Sequence, residues 1–220
     1  MSINLPNHFS CRSRTLVFDS GEQVDFTPVA QAGIPDELAA QLRTGRFLVT
    51  LSSVTSTSSG DRTFDFREVL VKVPVTLDGT DYLFPVAAFV DHEYSLVRGY
   101  LLGFNKFFTA RTGDEFTLDD HGCTLDAALP DVGPLEPAQL PAEQSLPLLL
   151  WTDFSVGPAR AQGYGLLEVA GYERLSVSEL ELPGEQVILS QTLKPIAAYE
   201  VRDAFDVTGT LPFGTNHSSD

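Results

Sequence analysis

The 220-residue sequence predicts an α+β fold, mainly antiparallel β, closed or sandwiched, with two or three short helices attached. Three observations carry this expectation. Turn signals recur at short intervals, and β-branched and aromatic residues fill the gaps between them. One segment alternates cleanly, with Val69, Val71, Val73 and Val75 on one face and Glu68, Leu70, Lys72 and Pro74 on the other. No strand–helix–strand rhythm, the mark of a parallel sheet, runs along the chain.

Taken in order, Thr15–Phe18 and Gly45–Val54 read as strands. Pro35–Leu42, between them, reads as a short helix: Pro35 and Asp36 suit a first turn, and Leu38, Ala39 and Leu42 make one face. Ser52–Gly60 is rich in Ser and Thr and reads as a loop. Phe64–Leu77 is the clearest strand; Asp78-Gly79 marks a hairpin turn that returns through Tyr82–Val90. Glu93–Leu102 suits a helix capped by Asp91 and stopped by Gly103. Phe104–Ala110 and Glu115–Leu118 follow as strands. Residues 128–147 hold five of the 14 prolines and read as an irregular crossing loop. Leu148–Val156, Gly165–Val169, Leu175–Leu182 and Ala197–Val207 are the later strands. Residues 1–208 are taken as one domain, and the polar segment 209–220 as a flexible tail.

Thirty acidic against 14 basic residues give a formal net charge of −16. Such a surface repels nucleic acid and anionic lipid, so neither is an expected partner. The longest apolar run, around Leu146–Trp151, contains Pro147 and is too short to span a bilayer. Ser2–Ser13 is polar and lacks a basic-then-apolar export pattern, so a cytoplasmic location is expected. Cys11 and Cys123 lie far apart, nothing has metal-ligand spacing, and neither metal nor cofactor is expected. There is no Gly-x-Ser-x-Gly elbow and no phosphate loop.

Lysine is scarce: Lys72, Lys106 and Lys194 stand against eleven arginines. Lys106, inside the run Leu101-Leu102-Gly103-Phe104-Asn105-Lys106-Phe107-Phe108, therefore needs an explanation. Either its stem packs on the phenylalanines while its amine snorkels to solvent, or the amine works in a pocket. Glu68 and Lys72 share one strand face, as an exposed ion pair of small energetic value or with Glu68 as an acid facing a lumen. Tyr100 is a core aromatic or a proton donor, and Trp151 is core or pocket wall.

Glu68 is followed by Pro74-Val75, Asp91 closes the next strand, and Arg98-Gly99-Tyr100 precedes Gly103-Phe104-Asn105-Lys106. In spacing and type these residues resemble the acetoacetate decarboxylase superfamily, over about a fifth of the chain. The segment Ala198–Val207 faintly resembles that family's last strand. The resemblance implies a closed, cone-like β-barrel around a central lysine, here Lys106, and assembly as a homo-oligomer. It also implies that this lysine forms a Schiff base with a keto acid. The iminium would serve as an electron sink for loss of CO2 or for aldol and dehydration chemistry. Such a lysine must be neutral at working pH, and loss of hydration favours its neutral form.

On this resemblance Lys106 and Glu68 are the catalytic candidates, with Leu102, Phe104, Phe107 and Phe108 as an apolar wall. Arg12 or Arg14 would hold a substrate carboxylate, and Tyr100, Asn105, Phe104, Phe107 and Trp151 are further substrate-binding candidates. The sequence also departs from the family pattern. The second lysine of the family pair is Phe107, the family proline is Asn105, and its Arg and Glu positions hold Gly99 and Tyr100. Phe47–Val54 lacks the family's acidic residue. The expectation is therefore a divergent Schiff-base lyase of decarboxylase, aldolase or dehydratase type in a biosynthetic tailoring role, rather than an acetoacetate decarboxylase. Its partner would be a small keto acid or an apolar biosynthetic intermediate. The alternative is a non-covalent binding barrel or cyclase that has lost imine chemistry.

Overall fold

The computed structural model describes residues 5–58, 62–110, 114–154 and 161–213. A long strand, β1 (Asn7–Asp25), leads through one 3-10 turn into a one-turn helix, α1 (Asp36–Ala39). β2 (Arg43–Ser58), β3 (Thr63–Leu77) and β4 (Thr80–Val90) form an antiparallel meander. Helix α2 (Glu93–Leu102) then leads into β5 (Lys106–Phe108), which lies parallel to β4. The short strands β6 (Thr117–Asp120), β7 (Cys123–Asp126) and β8 (Asp131–Pro134) follow. β9 (Leu149–Phe154), β10 (Ala161–Leu180), β11 (Gln186–Ile188), β12 (Gln191–Leu193) and β13 (Ala197–Phe213) complete the chain.

The main sheet runs β5-β4-β3-β2-β1-β13-β10-β8, with β9 also paired to β10. A smaller sheet runs β12-β11-β7-β6. Of these strand pairings, only β4–β5 is parallel. An isolated parallel bridge joins Leu83 of β4 to Leu148, just before β9, where the Leu83 amide donates to the Pro147 carbonyl at 3.0 Å.

Local chemistry accounts for the elements that position the site. Asp78 (φ 50°) and Gly79 (φ 75°) are both left-handed, the two-residue turn that matches the twist of a β-hairpin. Gly103 takes φ 101°, which a glycine adopts without strain, and ends α2 as expected. The cap at the other end differs from expectation. The His92 side chain accepts from the Tyr94 amide, while Asp91 accepts from the Arg67 amide and Nε, each at 2.7 Å.

Other differences concern length. Ser52–Ser58, read as loop, continues β2, and β1 extends well beyond Thr15–Phe18 in both directions. Gly165–Val169 and Leu175–Leu182, read as two strands, belong to the single strand β10, which ends at Leu180. The proline-rich stretch contains β8 and two 3-10 turns. Residues 209–213, expected in the tail, continue β13; the rest of that expected tail lies outside the described residues.

β3 separates two environments. Val69, Val71, Val73 and Val75 join Leu16, Phe18 and Phe47 in the main hydrophobic core. On its other face Phe66, Glu68, Leu70 and Lys72 line a cavity. Alternation of period two, the feature that marks this strand in the sequence, sets that division.

Candidate active site

The cavity has a volume of about 190 Å³. Its walls come from β3, from Thr50 and Ser52 of β2, from Cys11 and Ser13 of β1, and from Val201 and Asp203 of β13. Arg98 and Gly99 of α2 and Lys106 of β5 also line it. Much of the remaining wall is hydrocarbon, including Leu70, Leu102, Phe104 and Leu167.

The Lys106 side chain is only 7 % exposed and its Nζ lies 2.5 Å from Glu68 Oε2. Nζ also donates to Ser95 Oγ at 3.3 Å. The rings of Phe66 and Phe104 stand 5.9 and 5.5 Å from the amine, within cation–π range. The register explains the meeting. Leu70 pairs with Ala88, and Ala88 pairs with Lys106, so Glu68 lies two residues along β3 from the rung that holds Lys106. Gly99 makes room for the lysine stem. A Cβ there would sit 2.1 Å from Lys106 Cε and 2.4 Å from Cδ.

Two further cations line the same space. Arg98 is 5 % exposed, packs against the rings of Phe9, Phe64 and Tyr94, and donates from Nη1 to Ser56 Oγ at 3.1 Å. Burial lowers its proton affinity, yet a guanidinium stays charged at any working pH. Burial also pulls the Lys72 amine down to about 8, against the opposing charges of Asp203 and Glu68. The Asp203 carboxyl is pushed up to about 6, chiefly by burial, against the hydrogen bond from Tyr172 and the charges of Arg174 and Lys72. Cys11 lines the cavity, but burial first, and the Asp203 and Glu68 charges after it, push its thiol far up, away from the thiolate form.

Of the residues singled out from sequence, Lys106, Glu68 and Phe104 line the cavity together. The others do not. Arg12 and Arg14 sit on the opposite face of β1 from Cys11 and Ser13, and both donate to Glu200 Oε2, at 2.9 and 2.8 Å. Arg14 also donates to the Ala127 and Leu129 carbonyls. These contacts correct the expectation that either arginine holds a carboxylate in this cavity.

Tyr100 is 58 % exposed on the outer side of α2. Asn105 Nδ2 ties the Val29 and Val86 carbonyls together. Phe107 packs on Phe89 and His121, and Trp151 is buried in the main core against Tyr164. Of the apolar wall expected around the lysine, Leu102 and Phe104 are present, whereas Phe108 is exposed.

Arg98 was missed as a site residue because it precedes the glycine of its motif. Its signal is a lone arginine on a helix leading into a glycine-capped lysine segment. Asp203 carries no local signal; only the pairing of β1 with β13 brings it opposite Cys11.

No family model matches the chain, and no curated protein matches it. Solved structures do. An acetoacetate decarboxylase-like enzyme from Sphingomonas wittichii RW1 superposes with TM-score 0.63 at 17 % identity, covering 97 % of this chain and 94 % of its own. The enduracididine biosynthesis enzyme MppR with HEPES buffer bound gives 0.62 at 16 %, covering 97 % and 89 %. Acetoacetate decarboxylase from Legionella pneumophila subsp. pneumophila str. Philadelphia 1 gives 0.60 at 14 %, covering 96 % and 88 %. The chain therefore has the fold of the acetoacetate decarboxylase-like enzymes, a mainly antiparallel sheet with few helices. Among the described residues, no helix is long and apolar enough to cross a membrane.

Proposed function

We propose that the cavity is the active site of a Schiff-base enzyme acting on a keto acid. The observation that carries this reading is a buried lysine amine, Lys106, held at 2.5 Å by a carboxylate inside a largely hydrocarbon pocket. MppR, of the same fold, has been solved with pyruvate bound and with the condensation product of pyruvate and imidazole 4-carboxaldehyde.

In this reading Glu68 accepts the proton of the Lys106 ammonium, and the freed lone pair attacks the keto carbon. The carbinolamine then loses its hydroxyl as water, using the proton held on Glu68, to give an iminium. The iminium nitrogen receives the electron pair released when a neighbouring C–C or C–H bond breaks, leaving an enamine. Arg98 replaces Arg12 and Arg14 as the carboxylate holder: it is charged, buried and on the cavity wall.

The same reading takes the sheet as closed into a cone through the Leu83–Leu148 bridge, which links β4 to the strand pair β9–β10. It takes the chain as one domain that assembles as a cytoplasmic homo-oligomer in a biosynthetic pathway. Support for assembly comes from Val169, Tyr172 and Leu175 of β10 and Leu211 of β13, all exposed.

The test is borohydride reduction in the presence of pyruvate, acetoacetate and longer 2- and 3-keto acids, read by peptide mass spectrometry. The expected result is a reduced adduct at Lys106 that is absent from Lys106→Ala. If no keto acid gives an adduct there, the covalent mechanism is wrong. One observation favours a second reading, a non-covalent binding site: the Lys106 amine is already engaged by Glu68 and Ser95. Keto-acid binding that survives Lys106→Arg, with no adduct, would select it.

A further inference from the structure

The cavity carries more positive charge than imine chemistry uses. Lys106 and Glu68 neutralise one another. Arg98 and Lys72 remain, and among the described residues the one other carboxylate on the cavity wall is Asp203. This small cationic interior sits in a chain of net charge −16, whose surface does not itself attract anions.

Lys72 is the anomalous member. It is 6 % exposed, and among the described residues no hydrogen bond or ion pair engages its amine; Asp203 and Glu68 act on it only through space. A buried ammonium without an acceptor is costly, and a ligand that brings one relieves the cost. A second atom points the same way: Asp203 Oδ1 is buried without a hydrogen-bond partner. Lys72 and Arg98 both feel the Glu68 charge, so the Lys106–Glu68 pair lies within reach of both cations. The same wall carries Leu70, Leu167 and Val201, and its surface is more apolar than polar, which suits a methylene chain rather than a compact anion such as phosphate.

We propose that Lys72 forms a second anion subsite, so that the cavity takes an aliphatic keto diacid with one carboxylate on Arg98, the other on Lys72, and its keto carbon at Lys106. This deepens the Schiff-base reading and rests on it only for the keto carbon. Asp203 completes the subsite. Taking up a proton as the ligand binds, it donates to the carboxylate that Lys72 holds, which gives its buried oxygen a partner.

The test uses two acids of equal chain length without a carbonyl, glutarate and pentanoate, titrated calorimetrically into the whole protein at pH 7. Wild type is expected to bind glutarate at least tenfold more tightly than pentanoate. Lys72→Met should abolish that preference, with near-UV circular dichroism confirming the fold. A second measurement needs no variant. As the pH rises from 7 to about 9.5, past the Lys72 value of about 8, glutarate binding should weaken more than pentanoate binding. Equal affinity of the two acids in wild type, no binding of either, or a preference that survives Lys72→Met would overturn the proposal. Because neither acid can form an imine, a protein that prefers glutarate yet gives no borohydride adduct with 2-oxoglutarate keeps the subsite and loses the Schiff-base reading. An adduct at Lys106 without the glutarate preference does the reverse.

Discussion

A methyl group at position 99 would occupy the space of the Lys106 stem. The atoms it meets are the far end of a flexible side chain, so the lysine, not the helix, must move. Gly99→Ala gains up to about 1 kcal/mol because alanine favours a helix interior, but moving the amine off Glu68 breaks a buried pair, so a net loss of about 2 kcal/mol is expected. The same change should cut borohydride trapping at Lys106 at least tenfold; a melt and a trapping assay on one preparation separate the two effects. Lys72 makes a prediction of opposite character. Its folded-state value of about 8 lies below the ordinary 10.5, so between these pH values the unfolded chain binds more protons. Stability should rise with pH across that window, and below it the buried amine costs on the order of 3 kcal/mol. Lys72→Met should raise the urea midpoint at pH 7, by an amount that shrinks near pH 10.5. Lys106 was legible because it breaks a hydrocarbon run in a lysine-poor chain. Arg12 and Arg14 were misread because one step along a strand reverses the face, and no local pattern marks which parity of β1 looks inward.

At the scale of elements, β3 was the easiest to read, since one of its faces is wholly valine from 69 to 75. Its neighbour β2 was cut short because Ser52, Ser53 and residues 55–58 all carry hydroxyls, and such a run imitates a loop. The strands β6, β7, β11 and β12 hold only three or four residues each, too few for a period to show. β1 and β13 are also held together by charge. Glu200 accepts from Arg12, Arg14 and Arg202, and Arg14 reaches on to the Ala127 and Leu129 carbonyls. Burial alone would raise the Glu200 carboxyl; the three arginines outweigh it and hold it at about 2, below the ordinary 4.5. Its stabilising contribution is thus complete above pH 4.5 and lost as the pH falls toward 2. Glu200→Gln, which leaves buried Arg14 without its counter-charge, should cost about 3 kcal/mol in urea unfolding at pH 7 and much less at pH 2 to 3.

For the molecule as a whole, exposed apolar side chains on β10 and β13 stand out against a heavily acidic composition. If they meet a second copy, sedimentation velocity should show a species larger than the monomer, and Leu175→Glu should return it to monomer mass. A wild type that sediments as a monomer would count against assembly. The order of strands also has a temporal consequence. β1 is flanked by β2 on one side and by β13, the last strand, on the other. On a ribosome adding about 5–20 residues per second, the second edge of the first strand stays unpaired for roughly seven to thirty seconds after its first partner has docked. That edge offers bare amides and carbonyls throughout this interval. Arg12 and Arg14 stand on it without Glu200, so the arginines that miss the cavity can act as charged gatekeepers against a neighbouring nascent chain.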